Sequence, residues 1–218
     1  MRLHPEGISF VLVTTIICLA GAVLAWLFCK HPALKYTLVA LCALAIAMMF
    51  MFFRNPDREV TNNPEAIVAP SDGKVVQVRK VFVEEYFGCE CTEISIFLSL
   101  FDVHINWFPI GGEIVYSKYY PGAHTFAFVP KASEKNEHTS VVVRDAHGRE
   151  VMFRQIAGIV ARRVVSYAHE GAACDQASES GFIKFGSRLT VFVPGDVTPL
   201  VKVGDKVKGS VSEIARFN

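Results

Sequence analysis

Two long stretches without a charged residue constrain this chain more than anything else in it. From Ile8 to Cys29 there are 22 uncharged residues, and from Tyr36 to Phe53 another 18, separated only by Lys30-His-Pro-Ala-Leu-Lys35. As a helix at 1.5 Å per residue the first spans about 33 Å, enough to cross a bilayer core. The second reaches the lower limit and would cross with little tilt. A cleaved signal peptide would have a shorter apolar core and would leave the second run unexplained. A soluble buried hairpin would carry polar residues along one face. The expectation is therefore a membrane-embedded helical hairpin over residues 1–53, with shallow monotopic insertion as its rival. Arg2 and His4 precede the hairpin, Arg54 and Arg58 follow it, and Lys30 and Lys35 lie in its turn. The positive-inside rule places both ends in the cytoplasm by a small margin, because the turn is basic too.

Residues 54–218 have a different character. The first 53 residues hold only Arg2, Lys30, Lys35 and Glu6 of the chain's 22 basic and 21 acidic side chains, so the remainder is close to neutral. It has no basic stripe of the kind a nucleic acid requires. Cys18, Cys29 and Cys42 fall in the apolar runs, leaving Cys89, Cys91 and Cys174 with no C-x-x-C spacing. Alternation along a strand puts Cys89 and Cys91 on one face, which reads as small strand residues rather than a metal pair; no metal is expected.

The periodicity of this second part is that of strands. Lys74–Val83, Glu93–Leu98, Ser140–Arg144, Glu150–Arg154, Leu189–Val193 and Val211–Ile214 alternate or are rich in β-branched residues. Turn formers separate them at Ser71–Gly73, Ile110–Gly112, Asp145–Gly148, Pro194–Asp196 and Gly204–Asp205. Residues 54–66 read as a connector, and Ile156–Tyr167 as a strand followed by a second strand or a short helix. The phrases Ala69-Pro-Ser-Asp-Gly-Lys-Val75 and Val201-Lys-Val-Gly-Asp-Lys-Val-Lys-Gly209 look like pieces of barrel-sandwich domains. The expected architecture is mainly β: a compact, β-rich, barrel-sandwich-like domain over 54–218, behind an N-terminal hydrophobic helical hairpin.

Chemistry concentrates in Gly181-Phe-Ile-Lys-Phe-Gly-Ser-Arg188. A serine hydroxyl can attack the carbonyl preceding it when that peptide is strained, a base accepts the proton and donors hold the oxyanion. Glycine at 186 removes Cβ bulk and opens unusual dihedrals. Taken alone, Gly186-Ser187 is an ordinary turn into a strand. Asp72 alone is a turn residue, and His104 alone a strand histidine, although histidine as a type suits proton transfer near neutral pH.

Six fragments, in order, change that balance. They are Phe52-Phe-Arg-Asn-Pro-Asp-Arg58, Ala69-Pro-Ser-Asp-Gly-Lys74, Phe97-Leu-Ser-Leu-Phe-Asp-Val-His-Ile-Asn106, Lys131-Ala-Ser-Glu-Lys-Asn-Glu137, Gln155-Ile-Ala-Gly-Ile-Val-Ala-Arg-Arg163 and Phe185-Gly-Ser-Arg188. Together they resemble the phosphatidylserine decarboxylase proenzymes, most closely the short bacterial branch, over nearly the whole chain. The resemblance implies self-cleavage between Gly186 and Ser187 into a β chain, 1–186, and an α chain beginning at 187. Ser187 would become the pyruvoyl group, the cofactor that takes the substrate amine as a Schiff base. The implied reaction converts phosphatidylserine to phosphatidylethanolamine and CO2 at the cell membrane, with the catalytic domain on its cytoplasmic face.

By the same resemblance Asp72 matches the acid of a self-cleavage triad, and His104 the histidine of the decarboxylation step. Arg162 and Arg163 are candidates for the lipid phosphate. One position departs from the pattern. Longer members carry the triad base three residues after the first histidine, where this chain has Trp107. The base is then His104 serving both steps, or His124 or His138. A homo-oligomer is compatible with all of this. The competing function is a non-enzymatic, membrane-anchored barrel-sandwich carrier or adaptor. A serine hydrolase built on Ser187 is disfavoured, because no G-x-S-x-G elbow is present.

Overall fold

A computed structural model describes residues 2–122, 136–158, 164–184 and 187–218. The chain separates into two compact units, Met1–Asp57 and Arg58–Asn218.

In the first unit a 3-10 turn, Pro5–Gly7, leads into α1 (Ile8–Phe28), followed by α2 (Pro32–Phe52). Both helices are long and apolar enough to cross a membrane. Leu12, Val13, Ile16, Ile17, Leu19, Val23 and Leu24 of α1 are all exposed, so its apolar surface runs round the helix rather than along one face. The linker between the helices is shorter than the charge pattern predicts. Pro32 takes the first position of α2, where a missing N–H costs nothing, and this draws Lys35 into the helix. There its ammonium lies 4.8 Å from the centre of the Trp26 ring. The two ends of the hairpin are tied together by β1 (Arg2–Leu3) and β2 (Arg54–Asn55), which pair antiparallel.

The second unit is β throughout its described residues. Its strands are β3 (Ala66–Val68), β4 (Gly73–Val83), β5 (Cys89–Leu98), β6 (Ile105–Trp107), β7 (Gly112–Tyr120), β8 (His138–Arg144) and β9 (Glu150–Ala157). They continue as β10 (Val164–Ser166), β11 (Ala173–Cys174), β12 (Glu179–Ile183), β13 (Ser187–Pro194), β14 (Val197–Pro199), β15 (Lys206–Val207) and β16 (Glu213–Phe217). Eight form one curled antiparallel sheet in the order β11-β7-β8-β9-β13-β5-β4-β15. Two three-stranded sheets, β10-β12-β6 and β14-β16-β3, complete the unit. This is the mainly β architecture that the alternation implied.

Alternation also decides which way each strand faces. Leu189, Val191 and Val193 of β13 join Ile94, Ile96, Leu98, Val141, Val143, Val151 and Phe153 in the main core. The residues between them face the other side, where Val83, Cys91, Val142, Met152 and Phe192 make a smaller cluster. One expected strand moves. Val211–Ile214 is a turn at its start, with the Val211 and Ser212 amides donating to the Lys208 carbonyl, and β16 begins two residues later. The ambiguous stretch after Ile156 is β9 ending at Ala157 and β10 starting at Val164.

Candidate active site

The site is built around the start of β13, the strand flanked by β9 and β5 in the large sheet. In register, Ser187 lies opposite Leu98 on one side and Ala157 on the other. Backbone ladders therefore hold residue 187 from both sides, each bond contributing about 0.5–1.5 kcal/mol net. Gly186, with which Ser187 forms the expected cleavage pair, lies outside the described residues.

The residue after Ser187 is anchored by an unusual device. Arg188 is 1% exposed, in the interior of the sheet's second face. Its Nη2 donates to Gln77 Oε1, to Ser95 Oγ at 2.8 Å and to Glu93 Oε1 at 3.4 Å. The Ser95 hydroxyl donates its hydrogen bond to Glu93 Oε1 (3.0 Å), so the Thr190 hydroxyl is the donor in the 2.8 Å contact with Ser95 Oγ. Arg79 holds the other Glu93 oxygen at 2.7 Å. Burial lowers the Arg188 pKa, while the Glu93 carboxylate opposes that shift.

His104 reaches the same place by a different route. β5 ends at Leu98, the register partner of Ser187, and the chain then turns through Ser99–Asp102. The Asp102 carboxylate closes this turn by accepting from the Ser99 amide (2.8 Å) and hydroxyl (2.7 Å). The Asp102 carbonyl accepts from His104 Nδ1 at 2.9 Å. A carbonyl can only accept, so the neutral ring carries its proton on Nδ1 and its lone pair on Nε2. The His104 side chain is fully buried, and its carbonyl accepts from the Ile183 amide, four residues ahead of Ser187. Beside it, Gln155 Nε2 donates to Asn106 Oδ1 at 2.8 Å. A Cβ at Gly181, which has φ +155°, would meet the Val165 carbonyl at 2.2 Å, so β12 passes here only as glycine.

Asp72 also lies at this end of the sheet, one residue before the Gly73 end of β4. Its carboxylate is engaged by Arg58 in a two-pronged pair, Nη1 to Oδ1 at 2.6 Å and Nη2 to Oδ2 at 2.8 Å. Gly209 completes the arrangement: its amide donates to Asp72 Oδ1 and its carbonyl accepts from Arg58 Nη1, each at 2.8 Å. The guanidinium lies over the Trp107 ring, 4.9 Å from its centre. A Cβ on Gly209 would sit 2.2 Å from Trp107 Cζ3, so the indole and the glycine specify each other. Where the resemblance implies a carboxylate orienting a histidine, the carboxylate of this chain faces an arginine.

The structure thus gathers Asp72, His104 and the backbone of Ser187 at one end of the sheet. Of the other candidates, Arg162, Arg163 and His124 lie outside the described residues. His138 does not come from a loop; it opens β8. Its ring stacks on Tyr120 with centres 4.7 Å apart, and its Nδ1 donates to the Asn136 carbonyl at 2.8 Å. Burial pushes its pKa down, Arg154 adds to the effect, and the Asn136 bond and Glu85 oppose it. The Cys89–Cys91 pair behaves as strand residues, with the Cys91 thiol pushed up to about 12, chiefly by burial. Arg58, Gly209, Asp102 and the Arg188 network are structural members of the site that single-residue reading missed. Only the presence of Arg58 and Asp72 within two of the family-like fragments hinted at their pairing.

A serine at the head of a fixed central strand and a buried imidazole hung from the neighbouring turn thus lie in a β-rich unit that follows an apolar helical pair, an arrangement consistent with membrane association. The sequence model of the phosphatidylserine decarboxylase family matches residues 46–214. A phosphatidylserine decarboxylase proenzyme of Amoebophilus asiaticus is 40% identical, covering 100% of this chain and 97% of the relative. One of Cytophaga hutchinsonii is 38% identical over 100% of this chain and 99% of the relative. One of Syntrophus aciditrophicus is 41% identical over 76% and 78%. The chain belongs to the phosphatidylserine decarboxylase family and is an enzyme of that activity.

Proposed function

We propose that the chain cuts itself between Gly186 and Ser187 and that Ser187 becomes a pyruvoyl group, with which the enzyme decarboxylates phosphatidylserine to phosphatidylethanolamine. The observation that carries this reading is the register of Ser187 between Leu98 and Ala157, at the head of a strand fixed on both sides. In the cut, the Ser187 hydroxyl adds to the Gly186 carbonyl and the peptide bond becomes an ester, the proton passing to the freed amine. Loss of the Ser187 α-proton then expels the Gly186 carboxylate and leaves dehydroalanine. Addition of water releases ammonia and leaves the pyruvoyl ketone, without any external oxidant. The residues present fit such a group, because the strand that follows is pinned by the buried Arg188 and cannot drift once the chain is cut. When bound to substrate, the group would supply an electron sink for the pair left on the substrate carbon as CO2 departs.

The chain's own side chains do the rest. His104, with Nδ1 committed to the Asp102 carbonyl, presents Nε2 to accept or return a proton. With Trp107 three residues on, we assign His104 to both steps. Asp72 acts with Arg58 to hold Gly209, which belongs to the small fragment, against the large one. Arg162 and Arg163 are proposed to meet the lipid phosphate. The hairpin keeps the catalytic unit at the cell membrane, on its cytoplasmic face, where the diacyl substrate resides.

Electrophoresis with mass measurement tests the proposal. Wild-type protein should give two pieces, the smaller starting at 187 with a blocked N-terminus, and Ser187→Ala should give one. An intact wild-type chain that still releases CO2 from phosphatidylserine would overturn it.

A further inference from the structure

The turn that joins the two halves of the site has a tip whose chemistry the reaction does not use. Leu98, Val103 and His104 are buried, yet between them Leu100 is 45% and Phe101 67% exposed. We propose that Leu100 and Phe101 form a wedge that enters the bilayer surface and seats the site on lipid. The proposal rests on the decarboxylase reading and adds a second membrane contact, within the catalytic unit itself.

Three observations carry it. The tip is rigid: Asp102 accepts from the Ser99 amide and hydroxyl, and the Asp102 amide donates back to the Ser99 carbonyl at 3.0 Å. A turn already fixed loses little freedom on insertion, so little of the gain from its exposed apolar area is lost to ordering. The same bonds tie one oxygen of the half-buried Asp102 carboxylate, Oδ2, to the turn itself. Its position is also specific, since the turn begins at the register partner of Ser187 and ends at His104. The occupant follows from the rest of the molecule. The substrate carries two acyl chains that stay in the bilayer, and the chain's two helices expose apolar side chains on all sides. A site that must meet a headgroup at the surface gains most from an apolar contact beside the reacting residue.

Full-length protein in vesicles provides the test. Phe101→Trp, in a Trp26→Phe background, should lose fluorescence when the vesicle lipids carry brominated acyl chains, while buried Trp107 gives a constant signal. Leu100→Ser with Phe101→Ser should lower turnover of long-chain phosphatidylserine in vesicles about tenfold relative to a dispersed short-chain phosphatidylserine, as loss of roughly one large apolar contact implies. Phe101→Leu should restore much of the ratio. Emission of the Phe101→Trp variant that stays unquenched, or equal loss on both substrates, overturns the wedge. So does a change of oligomeric state in the double serine variant with the substrate ratio unchanged, which would assign the tip to a second copy of the chain. If wild-type protein is uncut and releases no CO2 from either substrate, the decarboxylase reading fails instead, and the quenching still decides whether the tip enters lipid.

Discussion

His138 shows how one side chain can couple this fold to pH. It is buried against Tyr120, and burial holds its pKa below the ordinary 6.5. Between the folded and unfolded values the unfolded chain binds the extra proton, so stability rises with pH across that window. The contribution is present above about pH 6.5 and is lost as pH falls toward the folded value. Melting temperature measured from about pH 7.5 to 5 should therefore drop on the acid side. His138→Phe, which keeps the stack on Tyr120, should flatten that drop; an unchanged slope would show that other groups set it. Arg188 is the other instructive residue. In the sequence it is one more charge after the proposed cleavage serine, and nothing local marks it as buried. Only when β4, β5 and β13 pair do Gln77, Ser95, Glu93 and Thr190 surround it.

At the scale of elements, the contact between the segment beginning at Arg58 and the turn before β16 depends on a few polar atoms. Arg58 and Asp72 are both largely buried, with side chains 13% and 14% exposed, and each also binds Gly209. Removing one partner leaves the other charge without its mate, which costs about 3 kcal/mol in such settings. Asp72→Asn and Arg58→Gln should each lower the denaturation midpoint by a similar amount, and the double variant should be little worse than either. A double-mutant cycle under denaturant reads this. If instead Asp72→Asn alone stops self-cleavage while Arg58→Gln cleaves at the normal rate, Asp72 acts on the reacting groups and not as a clamp. The strands themselves were largely legible: alternation located β4, β5, β8, β9 and β13 to within a few residues of their ends. β7 and β12 were not read, because Tyr-rich and glycine-containing stretches follow no clean period of two. The start of β16 was misplaced because hydrogen bonding to the Lys208 carbonyl turns Val211 and Ser212 out of the strand.

For the whole molecule, the decisive feature is where the proposed cut between Gly186 and Ser187 would fall in the topology. Residues 187–218 supply β13, flanked by β9 and β5, together with β14, β15 and β16. β15 pairs with β4, and β16 pairs with β3. Leu189, Val191, Val193, Val207 and Ile214 all lie in the main core, each worth about 1.5–3 kcal/mol of burial. The two fragments should consequently travel together on size exclusion in mild detergent and part only in denaturant. Separation under native conditions would mean that cleavage opens the sheet. Pairing of an interior strand with its neighbours would make the smaller product behave as part of one fold after such a cut.

The two uncharged runs and the alternation beyond them were enough to determine an apolar helical pair followed by a β-rich unit. Those properties depend on local period and on transfer of side chains from water, which a linear chain displays. The ordered fragments around Gly186-Ser187 likewise pointed to the decarboxylase family. What only the tertiary structure decided is which groups meet. Asp72 meets Arg58 and Gly209 beside Trp107, His104 hangs from the Asp102 carbonyl, and Arg188 is buried beside Glu93. Each is a contact set by strand register and by the need to satisfy buried polar atoms, and neither constraint is written at any single position.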